Sequence, residues 1–179
     1  SPPIGDVTLV FTDIKGSTTL WSHADKAMKQ ALRIHNRIMR RLLRTIGGYE
    51  VKTEGDAFMV AFCNPKQAIK WCMQVQTELL AADWPSEIFN VQETKQFVEQ
   101  EIPSSSPLYR GLSVRMGVHV GQPVCELDPV TLRMDYFGLE VTIAARIRDL
   151  ADGGQLFATQ PIYDAICQLR EPADLKQLL

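Results

Sequence analysis

The sequence predicts an α+β fold in which a mostly antiparallel sheet carries helices packed on one face. Segments with strand and helix patterns follow one another along the chain, which is typical of a layered α+β domain. Residues 49–53 and 57–62 form two strand-like runs joined tightly at Glu54-Gly55, which indicates a hairpin. The chain has 179 residues, of which 45% are hydrophobic. That length and composition predict a single domain with a buried core.

The first elements follow from hydrophobic patterning. Residues 6–13 form a strand that is too apolar for an edge position. A long helix from Ala24 to Ile46 is predicted because apolar residues recur every three or four positions along it. Ser22 and Asp25 resemble a capping box at its start, and Gly47-Gly48 ends it.

The remaining elements alternate in the same way after the hairpin. Residues 66–82 form a second amphipathic helix, with Ala68, Trp71, Cys72, Val75 and Leu79 on its inner side. Residues 83–108 contain isolated prolines and a Pro-Ser-Ser-Ser-Pro run, so we expect a long surface insertion. The later elements are a strand at 112–121, short strands at 124–128 and 132–137, a helix at 138–150, a strand at 153–159 and a short helix at 161–166.

Composition excludes several classes of function. The formal net charge is −2 and the pI is near 5.9, so no overall basic field indicates nucleic-acid binding. No apolar run has the length of a membrane span, and no signal peptide is predicted. The four cysteines, Cys63, Cys72, Cys125 and Cys167, show no paired spacing, so we expect reduced thiols of a cytosolic protein rather than a zinc site.

Two groups of polar residues lie within predicted elements. Five arginines of the long helix form one outward stripe: Arg33, Arg37, Arg40, Arg41 and Arg44. An acidic partner or a lipid surface would suit them, but an ordinary solvated helix face is the favoured interpretation. His35 lies on the apolar stripe of the same helix and His119 lies in a strand, so both are expected in the core or behind a site rather than as metal ligands.

Asp13 and Asp56 are the strongest candidates for chemistry. Asp13 ends a buried strand and is followed by the small Lys15-Gly16-Ser17-Thr18 segment, which suits either a helix cap or a metal beside a phosphate. Asp56 follows Gly55 in the hairpin turn. If the hairpin lies beside the first strand, the two carboxylates meet and repel unless a cation lies between them. Mg²⁺ is the natural candidate, since it prefers carboxylates together with phosphates.

Four segments together resemble the class III nucleotide cyclase catalytic domain: VTLVFTDIKGSTTLW, GGYEVKTEGDAFMVAF, LSVRMGVHVG and MDYFGLEVTIAARI. They occur in order and at family spacing over residues 7–165, so the resemblance is specific. The ELDPVTLRMDYFG and LADGGQ segments are most similar to adenylyl cyclases of fungi, with those of trypanosomatids next. The resemblance implies a ferredoxin-like sandwich and conversion of ATP to cyclic AMP and pyrophosphate.

The resemblance also implies a role for each matching residue. Asp13, Asp56 and the carbonyl of Ile14 match ligands of two Mg²⁺ or Mn²⁺ ions. Lys15, Gly16, Ser17 and Thr18 match the turn that holds the β- and γ-phosphates, and Arg115 resembles an arginine that contacts the polyphosphate. Lys52 and Asp135 match the pair that recognises the purine. Arg146 matches the arginine that stabilises the transition state, and Thr142 stands where the family usually has Asn.

The assembly and cellular setting are likewise implied by the resemblance. The aspartates of one subunit and the purine pair and arginine of its partner form each site, and this chain carries both sets, so a homodimer with two composite sites is expected. Fungal relatives are large, mostly cytosolic proteins, peripheral at membranes and responsive to Ras-type GTPases through other regions. The chain ends at Leu179, before the strands that usually supply a triphosphate lysine, and no motif identifies Lys176 with that role.

Two other functions stay open beside catalysis. A catalytically silent nucleotide-binding module that regulates a larger protein is the main alternative, although the chain retains both aspartates, the Lys52–Asp135 pair and Arg146. A nucleic-acid polymerase with a related palm is weaker, because the charge balance offers no basic channel.

Overall fold

The computed structural model describes residues 1–91 and 109–168. The strands in this part of the chain are β1 (Val7–Ile14), β2 (Tyr49–Glu54), β3 (Ala57–Phe62), β4 (Val114–Gly121), β5 (Val124–Leu127), β6 (Met134–Phe137) and β7 (Leu156–Ala158). The α-helices are α1 (Ser17–His23), α2 (Asp25–Ile46), α3 (Pro65–Ala81), α4 (Leu139–Leu150) and α5 (Gln160–Cys167). A 3₁₀ helix covers Ser86–Asn90.

The main sheet has the order β2-β3-β1-β4-β7, and β5 pairs with β6 in a separate two-stranded sheet. All neighbours are antiparallel except β4 and β7, which run parallel. The hairpin β2–β3 lies directly beside β1, as the sequence predicted. That arrangement brings the β2–β3 turn next to the end of β1.

The two faces of the sheet are covered by different elements. Val10, Phe58 and Met116 point to a first face, where they pack with buried residues of α2, α3 and α5. Leu9 and Met59 point to a second face, where they pack with residues of α4 and the β5–β6 hairpin. The mixed fold and its mostly antiparallel sheet are confirmed. The expectation that the helices share one face holds for α2, α3 and α5 but is wrong for α4.

The position of α4 is explained by glycine in β4. A Cβ atom on Gly117 would lie 2.2 Å from the backbone nitrogen of Arg148 and 2.8 Å from the carbonyl oxygen of Ala144. The helix backbone therefore lies directly on the strand, which only a residue without a side chain allows. This close approach anchors α4 on the second face.

One end of α2 needs a correction, and the other is as predicted. Ser22 does not cap α2, because it lies in the short helix α1 and its hydroxyl donates to the carbonyl of Thr19. The N-cap of α2 is Ala24, which has no capping side chain. At the other end, Gly47 has φ of 92° and closes the helix as predicted.

The start of the predicted surface insertion belongs to the core. Trp84, Ile88 and Val91 are buried and pack with the cluster under the first face. The indole nitrogen of Trp84 donates to the carbonyl of Leu79, 3.0 Å away, which ties the segment to the end of α3. Residues 92–108 of the predicted insertion lie outside the described residues.

Other predictions about the interior are confirmed. The apolar stripe of α2 is buried, including His35, and His119 is buried in β4. All four cysteines are free thiols. None of the helices in residues 1–91 and 109–168 combines the length and apolar character needed to cross a bilayer.

Candidate active site

Asp13 and Asp56 lie together at one corner of the sheet. Asp13 is the penultimate residue of β1, and Asp56 stands in the β2–β3 turn after Gly55, whose φ is 62°. The backbone N–H of Ile14 donates to Oδ2 of Asp56 at 3.2 Å, which ties the turn to the strand end. We refer to these two carboxylates and the Ile14 backbone as the aspartate corner.

The pKa of Asp56 is raised above its usual value. Partial burial is the main cause and the nearby charge of Asp13 is the second, while hydrogen bonds from the backbone and from the Ser17 side chain oppose them. Burial therefore disfavours the ionised form of Asp56, and the charge of Asp13 adds to that effect. The predicted meeting of Asp13 and Asp56 is confirmed.

Arg115 supplies the positive charge nearest to Asp13. The two residues are cross-strand partners on β4 and β1. Two guanidinium nitrogens of Arg115 donate to Oδ2 of Asp13, Nη2 at 2.7 Å and Nε at 3.2 Å. Its Nη2 is also 3.6 Å from Asp149 at the end of α4. The side chain of Arg115 is 20% exposed, so this pair is well shielded from water.

The turn after Asp13 begins the short helix α1, which was not among the predicted elements. Gly16 is the N-cap of α1 with φ of 70°, and the helical ladder starts only where Leu20 N–H donates to the Gly16 carbonyl. The first-turn amides of Ser17 and Thr18 therefore lie at the positive end of the helix, beside the aspartate corner. Lys15 forms an ion pair with Asp152 at 3.3 Å.

Lys52 and Asp135 form the predicted pair within one chain. The Lys52 ammonium lies 3.0 Å from Oδ2 of Asp135 and 5.8 Å from the ring centre of Phe137. A register shift between Glu50 and Lys52 marks a β-bulge in β2. Such bulges re-aim side chains. Here the pair joins the main sheet to the β5–β6 hairpin, which the sequence indicated only through the resemblance.

The outer side of α4 carries Arg146 and Thr142. They are four residues apart and both are exposed, so they share the surface of the helix that faces away from the sheet. The Thr142 hydroxyl donates to the Gly138 carbonyl at 3.4 Å. Within the part of the chain that the structure describes, Arg146 has no ion pair or side-chain hydrogen bond. The structure therefore does not bring Arg146 to the aspartate corner of its own chain.

A further network behind α4 was missed by the sequence analysis. Nε2 of His119 lies 2.5 Å from Glu140, and its Nδ1 lies 2.8 Å from the hydroxyl of Thr159. This network fixes the first turn of α4, the helix that carries Arg146. The two glycines that flank His119 on the same face of β4, Gly117 and Gly121, were the available signal, since glycine inside a strand marks a close approach of another element.

The residues at the aspartate corner fit a divalent metal site. Two carboxylates and a backbone carbonyl are the hard oxygen ligands that Mg²⁺ and Mn²⁺ prefer. Burial and the charge of Asp13 both disfavour the ionised form of Asp56, and a cation at the corner would offset both effects. Within residues 1–91 and 109–168, no group of three or more His, Cys, Asp or Glu side chains could hold a metal. Further ligands would have to come from backbone, water or a bound phosphate.

Comparison with known proteins agrees with this geometry. The model of the adenylate and guanylate cyclase catalytic domain matches residues 1–174. An adenylate cyclase of Mycosarcoma maydis is 56% identical over 162 residues, which are 90% of this chain and 6% of that protein. Receptor-type adenylate cyclase B of Leishmania donovani is 36% identical over 182 residues, covering 93% of this chain and 14% of that protein. The chain thus spans a small part of the curated relatives it matches.

The fold has a solved counterpart. A structure of adenylate cyclases from Trypanosoma brucei in their monomeric state matches with a TM-score of 0.80 and 34% identity. The match covers 99% of this chain and 81% of that one. The resemblance to fungal and trypanosomatid enzymes that the sequence indicated is confirmed.

Proposed function

Because the chain belongs to the adenylate and guanylate cyclase catalytic domain family, we propose that it converts ATP to 3′,5′-cyclic AMP and pyrophosphate. The observation that carries the proposal is the joint presence of the aspartate corner and a preformed Lys52–Asp135 pair in one chain. The aspartate corner offers oxygen ligands to the divalent metal ions that hold the phosphates. The Lys52–Asp135 pair offers a hydrogen-bond donor and an acceptor to the purine base. The curated relatives of high identity are adenylate cyclases.

Asp13, Asp56 and the Ile14 carbonyl are proposed to hold two Mg²⁺ or Mn²⁺ ions. When bound, such ions lower the pKa of the ribose 3′-hydroxyl and neutralise charge on the leaving phosphates. Both Arg115 nitrogens donate to Oδ2 of Asp13, which leaves Oδ1 of Asp13 for a metal ion. Arg115 nevertheless weakens the attraction of Asp13 for a cation, and an incoming polyphosphate offers its guanidinium new oxygen partners.

The triphosphate is proposed to bind at the turn formed by Lys15, Gly16, Ser17 and Thr18, with help from Arg115. The first-turn amides at the start of α1 are suited to phosphate oxygens. Both nearby cations are held by carboxylates, Lys15 by Asp152 and Arg115 by Asp13 and Asp149. A tetra-anionic ligand competes for these cations more strongly than a single carboxylate does, so binding is expected to rearrange the ion pairs.

The purine is proposed to be recognised by Lys52 and Asp135. Lys52 donates to N1 of adenine and Asp135 accepts from the 6-amino group. Their 3.0 Å contact keeps both side chains in place before ATP arrives. Guanine reverses both polarities, which would leave the two groups unpaired. ATP is therefore the expected substrate.

Arg146 and Thr142 are proposed to act on the α-phosphate and ribose of a site in a second copy of the chain. Their exposure on the outer side of α4 supports this arrangement. Exposed apolar side chains on and around the β5–β6 hairpin provide a surface for the second copy. They are Val124 (56% exposed), Leu127 (57%), Val130 (87%), Leu132 (72%), Phe137 (44%) and Leu139 (69%).

In the proposed homodimer, Arg146 stabilises charge that develops on the α-phosphate oxygens as the 3′-oxygen attacks and pyrophosphate departs. Thr142 offers one short hydroxyl where the family usually has an amide, so we expect weaker ribose positioning. That hydroxyl also has to leave its intrahelical contact with Gly138.

The setting of the whole protein is also a proposal. We place the catalytic domain in the cytoplasm, at the membrane periphery in a longer protein, with any Ras-type GTPase acting through regions outside this chain. The triphosphate lysine of the family has no assigned counterpart, because no motif identifies Lys176 with that role; Lys176 also lies outside the described residues. The alternative of a silent nucleotide-binding module is disfavoured because both carboxylates of the aspartate corner are present.

The test is an assay of the purified chain with ATP and Mn²⁺, following cyclic AMP and pyrophosphate. We expect both products in equal amounts. Nucleotide binding without turnover at high protein concentration would support the silent module instead.

A further inference from the structure

We propose that α2 carries a second functional surface, a basic stripe that binds the surface of an anionic phospholipid bilayer. The stripe consists of five exposed cations on the outer side of the helix: Lys26, Lys29, Arg33, Arg37 and Arg44. The chain as a whole has a net charge of −2, so the rest of the chain is distinctly acidic. Positive charge is therefore concentrated on this one helix.

The stripe is straight and narrow. At about 100° per residue, its five positions fall within an arc of about 80°, and from Lys26 to Arg44 they extend about 27 Å along the axis. The other exposed residues of α2 are polar, and its apolar residues are buried or half-buried against the first face of the sheet. A plane tangent to the helix can therefore touch all five cations at once.

Ion pairs distinguish the other two arginines of the helix from the stripe, although Arg40 lies within the same arc. Arg40 forms hydrogen bonds to Glu50 of β2, with Nη2 2.8 Å from Oε1, and Arg41 is paired with Glu78 of α3. Those two arginines join α2 to its neighbours. Among the described residues, no acidic side chain forms an ion pair with any of the five stripe cations.

A solvated helix face does not explain this pattern. Like charges three or four residues apart destabilise a helix, and Lys29, Arg33 and Arg37 form two successive repulsive steps. Lys26 and Lys29 also lie in the first turns, where the helix dipole disfavours cations. A helix selected only for stability would place acids among these cations. The arrangement costs stability in the free protein, and an anionic surface would recover that cost.

A bilayer suits the stripe better than an acidic protein does. Protein interfaces usually have an apolar or aromatic centre and few lysines, whereas the exposed part of α2 contains no apolar side chain. A polybasic surface without an apolar centre is suited to lipid headgroups, where each Lys or Arg contributes separately. The straight stripe also matches a plane better than a convex partner.

The location of the stripe leaves the proposed active site free. The helix α2 packs on the first face of the sheet, whereas Arg115 and the Lys52–Asp135 pair belong to the second face together with α4. Lipid binding through α2 therefore does not require any catalytic residue to move. For this reason it can be tested without nucleotide and independently of cyclase activity.

The test is co-sedimentation of the chain with vesicles. We expect binding to phosphatidylcholine vesicles that contain about 30% phosphatidylserine, and no binding to phosphatidylcholine alone. Binding should weaken strongly when salt is raised from about 0.1 M to about 0.5 M, because the Debye length shortens. The double variant Arg33→Gln, Arg37→Gln should bind about 25-fold more weakly, at about fivefold for each lost charge.

A charge-conserving variant is the matched control. Arg33→Lys with Arg37→Lys should bind vesicles nearly as well as wild type, because headgroup attraction depends on charge rather than on guanidinium geometry. The Gln variant should melt at the same or a higher temperature than wild type, which would show that lost binding is not lost folding. Its turnover of ATP should be unchanged.

Two results would overturn the proposal. One is equal vesicle binding by wild type and the Gln variant, because the stripe would then play no part. The other is failure of wild type to bind phosphatidylserine vesicles at low salt. If wild type then binds soluble polyglutamate, with loss in the Gln variant, the surface belongs to an acidic protein and the lipid assignment is wrong.

Discussion

The aspartate corner and the outer side of α4 differ in how their charges are balanced. At the corner, Asp13 receives two hydrogen bonds from Arg115 and Asp56 receives one from the Ile14 backbone. On α4, Arg146 is exposed and has no ion pair within the described residues. The acidic half of the proposed site has hydrogen-bond partners inside its own chain, whereas Arg146 has none among the described residues. This difference supports a site shared between two copies of the chain.

The largest expected effect comes from removing the acids of the corner. Asp13→Ala or Asp56→Ala should reduce cyclic AMP formation at least about a thousandfold, because each variant removes a proposed ligand for the metal ions. The fold should persist, since neither side chain contributes much packing. Turnover at saturating Mn²⁺ and far-UV circular dichroism measure the two effects.

Glu54→Ala is the matched control for these variants. Glu54 is an exposed acid at the end of β2, in the same hairpin as Asp56, but it has no assigned role. We expect it to retain near-normal activity. Near-normal activity of either aspartate variant would contradict the metal assignment.

The proposal that each active site is shared between two copies of the chain is tested most directly by mixing two inactive variants. Asp56→Ala lacks the corner and Arg146→Ala lacks the arginine, so each homodimer has two defective sites. A mixed dimer has one site with both defects and one with neither. Random exchange makes half of the dimers mixed, so about one quarter of wild-type activity should return.

Subunit exchange has to be shown in the same sample, for example by energy transfer between labelled chains. If labelled chains exchange and cyclic AMP stays at background, Arg146 acts at the aspartate corner of its own chain. A wild-type chain mixed with the double variant Asp56→Ala, Arg146→Ala controls for simple dilution.

Base selectivity tests a part of the site that is also complete within one chain. Wild type should prefer ATP over GTP by about a hundredfold or more in kcat/KM, because guanine would leave Lys52 and Asp135 without partners. Lys52→Gln with Asp135→Asn should reduce that preference, mainly by lowering turnover of ATP. Equal turnover of both nucleotides by wild type would refute the pairing.

Much of the fold was predictable because apolar residues are regularly spaced along its longer elements. The 22 residues of α2 show several turns of apolar spacing, and β1 is a continuous apolar run. By contrast, α1 has only seven residues after Gly16, too few for a period to appear. The side of the sheet covered by α4 depends on where Gly117 lies in the register, which local patterns do not reveal.

In the candidate site, too, some contacts were predictable from local sequence and others were not. The meeting of Asp13 and Asp56 followed from a strand end and a tight turn, both of which leave local sequence signals. The pairing of Asp13 with Arg115 joins residues that are 102 positions apart. Nothing in either segment indicates this contact, because cross-strand partners are set by the register of the whole sheet. The ion pairs that compensate the corner were therefore visible only in the structure.

Removing the positive charge of Arg115 should change the affinity for Mn²⁺, by a smaller factor than the effects predicted above. Arg115→Gln should raise the affinity of the nucleotide-free chain for Mn²⁺ about tenfold, because a metal no longer competes with a guanidinium for Asp13. Electron paramagnetic resonance of free Mn²⁺ measures this without any turnover. Arg110→Gln, an arginine that contacts the Ala82 carbonyl instead, is the control and should leave the affinity unchanged. Unchanged or weaker Mn²⁺ binding in Arg115→Gln would mean that Arg115 orients Asp13 rather than competing for it.

The smallest expected effect concerns the stability of the metal-free chain. Burial and the charge of Asp13 raise the pKa of Asp56, so its ionised form destabilises the fold at neutral pH. Asp56→Asn keeps an oxygen to accept from the Ile14 N–H, removes the charge, and should raise Tm by about 1–2 °C at pH 7 in the presence of a chelator.

The pH dependence distinguishes charge from packing. As the pH falls through the raised pKa of Asp56, the folded wild type takes up a proton that the unfolded chain does not yet bind, and wild type gains stability relative to Asp56→Asn. The advantage of the variant should therefore shrink from pH 7 toward pH 4. An advantage that stays constant over this range would come from packing or hydrogen bonding. In that case Asp13 and Asp56 do not repel each other, and a cation is not needed to balance the corner.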